Sequence, residues 1–429
     1  MAISLTSISY FILGTLLIFR LSTNFFITYY QPLPYRPIVL YLILFIGFIG
    51  LVIIDLLRKK NKSYFYYRLA IIVGTIVIIL STAIFSQIAF RHDSQDHIYI
   101  HDGALLTEVA GDKLWQGENP YSTNYRSTLF GQVHNWQDVA NYDNPAWYYY
   151  AYLPFYVITS GTANAISDNI VGWYDERFLL ILIFILTIFI LYKATTNKEN
   201  KLLVLLLFSF NPLFTDFFIT GFNDVFVFFW LLLSFYLLKN NHFGWSAAVL
   251  GLALVSKQTA WIIVPIYLIY LYLLKEKSAF NWKYWLKVVK RVWPAVVVVL
   301  IFITPFLIWS AGDFITDVID YPAGRTEFNY PITGFGISEI LLQAGYIENN
   351  IDYYPFWIWQ LIFGIPTLII IWFLLKQQNS ISRLITSYLL LLLVFWIFSR
   401  FMQINYIGFL SWLAIAAWAF RDNTTEELN

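Results

Sequence analysis

Apolar stretches close to twenty residues long recur from one end of the chain to the other. They lie at about 8–27, 38–57, 69–90, 177–194, 201–219, 222–239, 244–257, 258–274, 292–310, 355–375, 383–399 and 403–420. A helix crosses the roughly 30 Å hydrocarbon layer in about 20 residues at about 1.5 Å each. Lipid offers the backbone no hydrogen-bond partner, so only helices and closed barrels span it. A barrel would need short alternating segments, and these runs are long and continuous. The chain is 59% hydrophobic, 20% aromatic and 12% charged, with a mean hydropathy of +0.63, which excludes a soluble globular protein. The expectation is an all-α polytopic membrane protein of about 12 transmembrane helices, one membrane domain over residues 1–429. Residues 1–60 read as an appended two-helix hairpin.

Charge chooses the side. Arg58, Lys59, Lys60, Lys62 and Arg68 fill one short loop, and Lys193, Lys198 and Lys201 another. Lys275, Lys277, Lys283, Lys287, Lys290 and Arg291 fill a third, followed by Lys376, Arg383 and Arg421. With twelve spans all fall on one face, which the positive-inside rule makes cytoplasmic, together with both termini. The long, acid-rich connections at 91–176 and 311–354 then face outward, and interfacial helices are expected in both. The expected location is the plasma membrane, with the site on its outer face. Residues 145–166 are apolar, but Pro154 interrupts them and their tyrosines suit the headgroup belt. They read as a helix lying in the outer interface. The chain has no cysteine, so disulfides and thiolate metal sites are excluded. The N-terminus lacks the basic region and cleavage site of a signal peptide, so the first run is expected to be retained.

The stretch from Arg91 to Tyr121 concentrates the chain's chemistry. It holds His92, His97 and His101, with Asp93, Asp96, Asp102, Glu108, Asp112 and Glu118. Leu105, Leu106, Val109, Ala110 and Leu114 recur at helical spacing after Asp102, and Gly117 and Asn119-Pro120 close the segment. A short surface helix with Asp102 at its N-terminus follows. Asp102 reads either as an N-cap or as a catalytic carboxylate, and a cap would itself fix the carboxylate's position.

The segment HDGALLTEVAGDKLWQGENPY (101–121) resembles the first outer loop of GT-C superfamily glycosyltransferases, nearest the polyprenyl-phosphate-sugar-dependent, mannosyltransferase-like branch. GFNDVFVFFWLLL at Gly221–Leu233 is similar to that family's Gly-x-Asn-Asp at the start of a span. GWSAAVLGLALVSKQTAWIIVPI at Gly244–Ile266 is similar to its Gly-Leu-Ala…Lys…Pro hairpin. The resemblance implies a GT-C-like helical bundle, a polyprenyl-phosphate sugar as donor (mannose or another hexose), and a lipid, glycan or protein acceptor. It also implies inversion, with the first-loop acid as general base. Asp102 is the best match, and Asp93 and Asp96 are the fallback. Glu108, Tyr121, Asn223, Asp224 and Gln258 are the candidates for contacting sugar or acceptor. Membrane lipids are expected partners and nucleic acid is not.

A lipid phosphate needs cations at the outer edge, where few are available. Lys257 sits in an apolar hairpin, where an unpaired ammonium is costly. It either pairs with an acid such as Asp224 or awaits an anionic ligand. Arg400 and Arg325 are the next donor-phosphate candidates, because arginine can clamp phosphate with two parallel hydrogen bonds. Arg20 and Arg177 read as snorkelling residues. Asp313, Asp317 and Asp320 read as the wetted face of a surface helix. The one cofactor candidate is a divalent metal, Mn²⁺ or Mg²⁺, held by Asp96, His97 and His101. Mixed His/Asp ligands suit Mn²⁺ or Zn²⁺ better than Mg²⁺, and the alternative is a solvated loop. Two other functions stand beside the transferase. A transporter or flippase of lipid-linked sugars would place its charges at the membrane midplane. A glycan polymerase or ligase would carry basic rather than acidic outer loops.

Overall fold

The computed structural model describes residues 3–23, 37–57, 63–94, 100–135, 142–275 and 281–421. Each expected apolar run has a helical counterpart. Helices α1 (Leu5–Thr23), α2 (Pro37–Leu56) and α3 (Ser63–Ser94) come first. The first long connection contributes α4 (Asp102–Trp115) and α5 (Pro154–Ile170). Then follow α6 (Glu176–Ala194), α7 (Lys198–Ser209), α8 (Thr215–Thr220), α9 (Asp224–Lys239) and α10 (Phe243–Leu254). A 3-10 turn at Gln258–Ile262 leads into α11 (Ile263–Leu273), followed by α12 (Trp282–Arg291) and α13 (Trp293–Ile315). Last come α14 (Phe356–Gln377), α15 (Ile381–Ile397) and α16 (Ile404–Ala419).

Among the described residues, six helices are long and apolar enough to cross a bilayer: α1, α2, α3, α6, α13 with its extension to Ala323, and α14. Shorter apolar helices lie at 243–254, 258–273, 381–397 and 404–419. The protein is an all-α integral membrane protein. The two long connections meet at one end of it.

Several expectations change on contact with the fold. The run 201–219 is two helices rather than one. Pro212 cannot donate to a helical ladder, so α7 stops at Ser209. Asn211 fills the break, accepting from the Leu213 N–H at 3.0 Å and donating to Ser411 at 2.7 Å. Arg20 does not snorkel: its Nε pairs with the buried Asp216 at 2.9 Å. At the other end of the first hairpin, Arg68 binds Glu199 at 2.6 Å and faces Asp55. Helices α1 and α2 share one continuous apolar core with the rest of the bundle, from Tyr10 to Phe420. The helix expected over 145–166 begins only at Pro154, whose fixed φ suits the first helical position.

The second connection differs too. Helix α13 breaks at Ser310, which has extended backbone, and continues through a π-turn at Thr316–Asp320. Asp317 is buried rather than wetted, accepting the Tyr150 N–H at 2.7 Å. A two-residue parallel pairing, Thr333–Gly334 with Phe401–Met402, pins the rest of this connection to the α15–α16 turn.

Helix α4 lies across α5 at a glycine-to-glycine crossing. A Cβ on Gly111 would fall 2.8 Å from Gly161 Cα and 2.9 Å from its N, both backbone atoms that cannot swing aside. Gly111→Val is therefore expected to cost about 1–3 kcal/mol by overpacking. A thermal melt of the detergent-solubilised protein within a degree of the native one would refute this.

Candidate active site

A cavity of about 530 Å³ opens where the first connection meets the second. It gathers residues that lie far apart in the chain: Asp102, Asn223, Asp224, Lys257, Gln258, Arg325 and Arg400 all line it. The alternating helix directions bring them together. Asp224 starts α9, Gln258 precedes α11, Arg325 follows α13, and Arg400 joins α15 to α16.

Asp102 is held by its neighbours in sequence. The His101 N–H donates to the Thr220 carbonyl at 2.8 Å, fixing the entry to α4 beside the end of α8. The side-chain cap of α4 is His101, not Asp102, and its Nδ1 accepts the Gly103 N–H at 3.1 Å. That acceptor role places the imidazole proton on Nε2, which lies 3.0 Å from Asp102 Oδ1. The Gly103 N–H reaches the same oxygen at 2.6 Å. Oδ1 thus accepts the Gly103 N–H with the His101 ring beside it, and Oδ2 has no hydrogen bond to the described residues. A Cβ on Gly103 would collide with the Tyr152 hydroxyl, so any side chain at this position would require that ring to shift. Burial opposes the carboxylate charge, but His101, then His134 and the Gly103 N–H, hold the Asp102 carboxyl below its ordinary value. Burial also pushes His101 below its usual value, and His134 down to about 4, against the pull of Asp102. Both imidazoles are neutral at pH 7.

Lys257 has a partner. Its ammonium donates to Asp224 Oδ1 at 2.5 Å and to Asn223 Oδ1 at 3.0 Å, and lies 5.7 Å from the Tyr152 ring centre. Asn405 donates to the other Asp224 oxygen at 3.0 Å. Asn223 thus serves as an acceptor for Lys257 and makes no side-chain cap on α9. Gln258 is a brace, donating to the Ala151 and Val318 carbonyls at 2.7 and 3.1 Å.

Of the remaining cations, Arg325 pairs with Asp320 at 2.6 Å. Arg400 is different. It is buried and donates to three backbone carbonyls: Tyr330 at 2.5 Å, Asp352 at 2.7 Å and Asn350 at 3.0 Å. Burial lowers it to about 10, so it stays charged at neutral pH. No carboxylate within ion-pair distance balances that charge among the described residues. Gly324 makes room for it, since a Cβ there would strike the guanidinium, and its φ of +74° is one glycine adopts freely.

Two sequence candidates lie elsewhere. Glu108 is buried beneath α4, where Arg91 grips both its oxygens at 2.9 and 2.7 Å. It also accepts the Glu176 N–H at 2.6 Å. The Tyr121 hydroxyl is spent on the Tyr152 carbonyl at 2.9 Å, and its ring packs on Phe306 and Phe314. Both stabilise the loop and neither lines the cavity. Arg177 does not snorkel: it makes a two-point pair with Asp175 at 2.8 and 2.7 Å, fully buried. Asp93 is exposed beside His92 and away from the cavity.

Asp96 and His97 lie outside the described residues. The remaining metal candidate, His101, has both ring nitrogens engaged, one as acceptor and one facing Asp102. No group of three or more carboxylates and histidines with metal-binding geometry occurs among the described residues. Conversely, Tyr152, Tyr330, Gln403, Asn405 and Tyr406 line the cavity without having been singled out in the sequence. The tyrosines are hidden among 31 in the chain.

Residues 151–309 match the family model described as dolichyl-phosphate-mannose-protein mannosyltransferase. This match supports a GT-C superfamily glycosyltransferase. It includes Tyr152, Asn223, Asp224, Lys257 and Gln258, but neither Asp102 nor Arg400. No curated protein and no solved structure matches the chain.

Proposed function

We propose that this membrane transferase moves a hexose, mannose by its family, from a polyprenyl-phosphate donor to the hydroxyl of a lipid, glycan or protein acceptor. The observation that carries the reading is one cavity holding a carboxylate oxygen and a buried arginine that, among the described residues, have no hydrogen bond and no ion pair respectively. The acceptor oxygen attacks the anomeric carbon. Its proton passes to Asp102 Oδ2 as the new bond forms, and the bond to the phosphate oxygen breaks with its electron pair. Phosphate leaves without a proton, so one acid suffices, and attack from the opposite face inverts the centre. That is why a base held below the ordinary carboxylate value serves here: it receives a proton from a hydroxyl already committed to bonding.

Arg400 is the proposed phosphate holder, with Lys257 and Arg325 in supporting positions. Trp261, Ile262, Ile319 and Trp357 form an apolar side of the cavity between α11, α13 and α14, suited to a prenyl tail. The charge pattern of the short loops supports the reading that this end of the bundle faces outward at the plasma membrane, with both termini cytoplasmic.

Incubating the reconstituted protein with radiolabelled polyprenyl-phosphate mannose tests the reading. Release of polyprenyl phosphate with transfer of label supports it. Movement of intact donor across the bilayer would instead make the protein a transporter. Lys257→Met is expected to weaken affinity for polyprenyl phosphate roughly ten- to hundredfold, the worth of one charged hydrogen bond. Unchanged affinity would leave Lys257 as the structural partner of Asp224 alone.

A further inference from the structure

Helix α12 lies at the end of the bundle away from the cavity. Helix α11 runs away from Gln258, and α13 runs back toward Arg325. Its ten residues divide into three faces. Val288 is buried, and Tyr284 and Trp285 pack on the Tyr272 ring. Beside them Trp282, Leu286 and Val289 are 60%, 43% and 44% exposed, although all three are apolar. Lys283, Lys287 and Lys290 are exposed on a third face, within an arc of roughly 60° at 3.6 residues per turn. None of the three makes an ion pair with a described residue. Arg291 is set apart, its guanidinium lying over the Phe243 ring.

The exposed apolar edge does not stop at the end of α12. It continues into α13 through Trp293, Val296 and Leu300, which are exposed on a membrane-length helix. That continuity identifies what covers it: the strip is lipid-facing throughout, and α12 is where it reaches the headgroups. Apolar residues at the acyl boundary beside a lysine face are the pattern of a helix lying in the membrane plane. Three ammonium groups at headgroup depth, with no ion-pair partner among the described residues, favour lipids with net negative charge over zwitterionic ones, whose own cations offset the phosphate.

We propose that α12 is a binding face for anionic phospholipid headgroups, with Lys283, Lys287 and Lys290 as the recognising groups and Trp282, Leu286 and Val289 set into the acyl boundary. The site is independent of the transferase chemistry. It anchors α11 and α13, whose far ends border the cavity, to one leaflet.

The chain contains no cysteine, so Leu286→Cys carries a single fluorophore without further changes. The full-length labelled protein is reconstituted into phosphatidylcholine vesicles containing brominated phosphatidylglycerol or brominated phosphatidylcholine. Phosphatidylglycerol is expected to quench more effectively, with a local enrichment of at least about fivefold, the value of one lysine near an anionic surface. High salt should reduce that enrichment toward one, as should K283Q/K287Q/K290Q in the labelled background. Equal quenching by the two lipids in the native background would overturn the proposal. So would enrichment that survives both salt and the triple substitution, or a fluorophore that neither lipid quenches. The salt arm uses the native lysines and decides the matter even if the triple variant does not fold.

Discussion

Asp102→Asn is expected to lower turnover by about 10²–10⁴-fold, the usual worth of a positioned general base. Asparagine keeps the shape and an oxygen to accept the Gly103 N–H, so α4 should stay where it is. Donor affinity and melting temperature should therefore change little, and the loss should fall on kcat. The pH profile supplies a second check. Asp102 is held below its ordinary value of 3.8, so it is ionised throughout the neutral range. Turnover should be flat from pH 5 to 7 and fall only as pH drops through that lowered value. His101 and His134, also lowered, should contribute no step near pH 6.5. Native-like turnover by Asp102→Asn at saturating donor would remove Asp102 from the chemistry. A histidine-like step near pH 6.5 would instead make His101 the titrating group.

Much of this site could be read from residues that break an apolar pattern. Lys257, Asp224 and Arg400 each interrupt a run of Leu, Phe and Val near one end of a helix, so hydropathy alone places them at the same membrane boundary. What hydropathy cannot give is direction. Glu108 and Asp102 sit on the same short helix, six residues apart. The apolar spacing of α4 shows that one side is covered but not which neighbour covers it. Glu108 turned out to face Arg91, and Asp102 the cavity. Nor does spacing reveal partners. Arg91 and Asp175 are 84 positions apart, and Arg20 and Asp216 are 196 apart. Arg20, taken alone, reads as a snorkelling residue. Pairing was visible for Lys257 only because the hairpin left its charge so little water.

The second large effect is expected from the cluster beneath α4. Arg91 on α3 binds Glu108 on α4 and reaches Asp175 at 2.7 Å, and Asp175 in turn holds Arg177 on α6. All four groups are buried. The cluster ties α4, the helix that opens with Asp102, to two long helices of the bundle. Arg91→Met leaves the Glu108 carboxylate buried without a cation, and is expected to cost about 3–5 kcal/mol. Asp175 is spared the worst because Arg177 remains. Adding Glu108→Gln to Arg91→Met removes the stranded charge while leaving an oxygen for the Glu176 N–H. The double variant should therefore recover most of the lost stability. Turnover should not recover with it, because α4 would then be joined to α3 by no charged bond and Asp102 would lose its fixed approach to the cavity. Stability and turnover that return together would show that the cluster acts only as a fold determinant. A double variant as unstable as Arg91→Met would mean that lost packing by the arginine, rather than an uncompensated carboxylate, is what the bundle cannot tolerate.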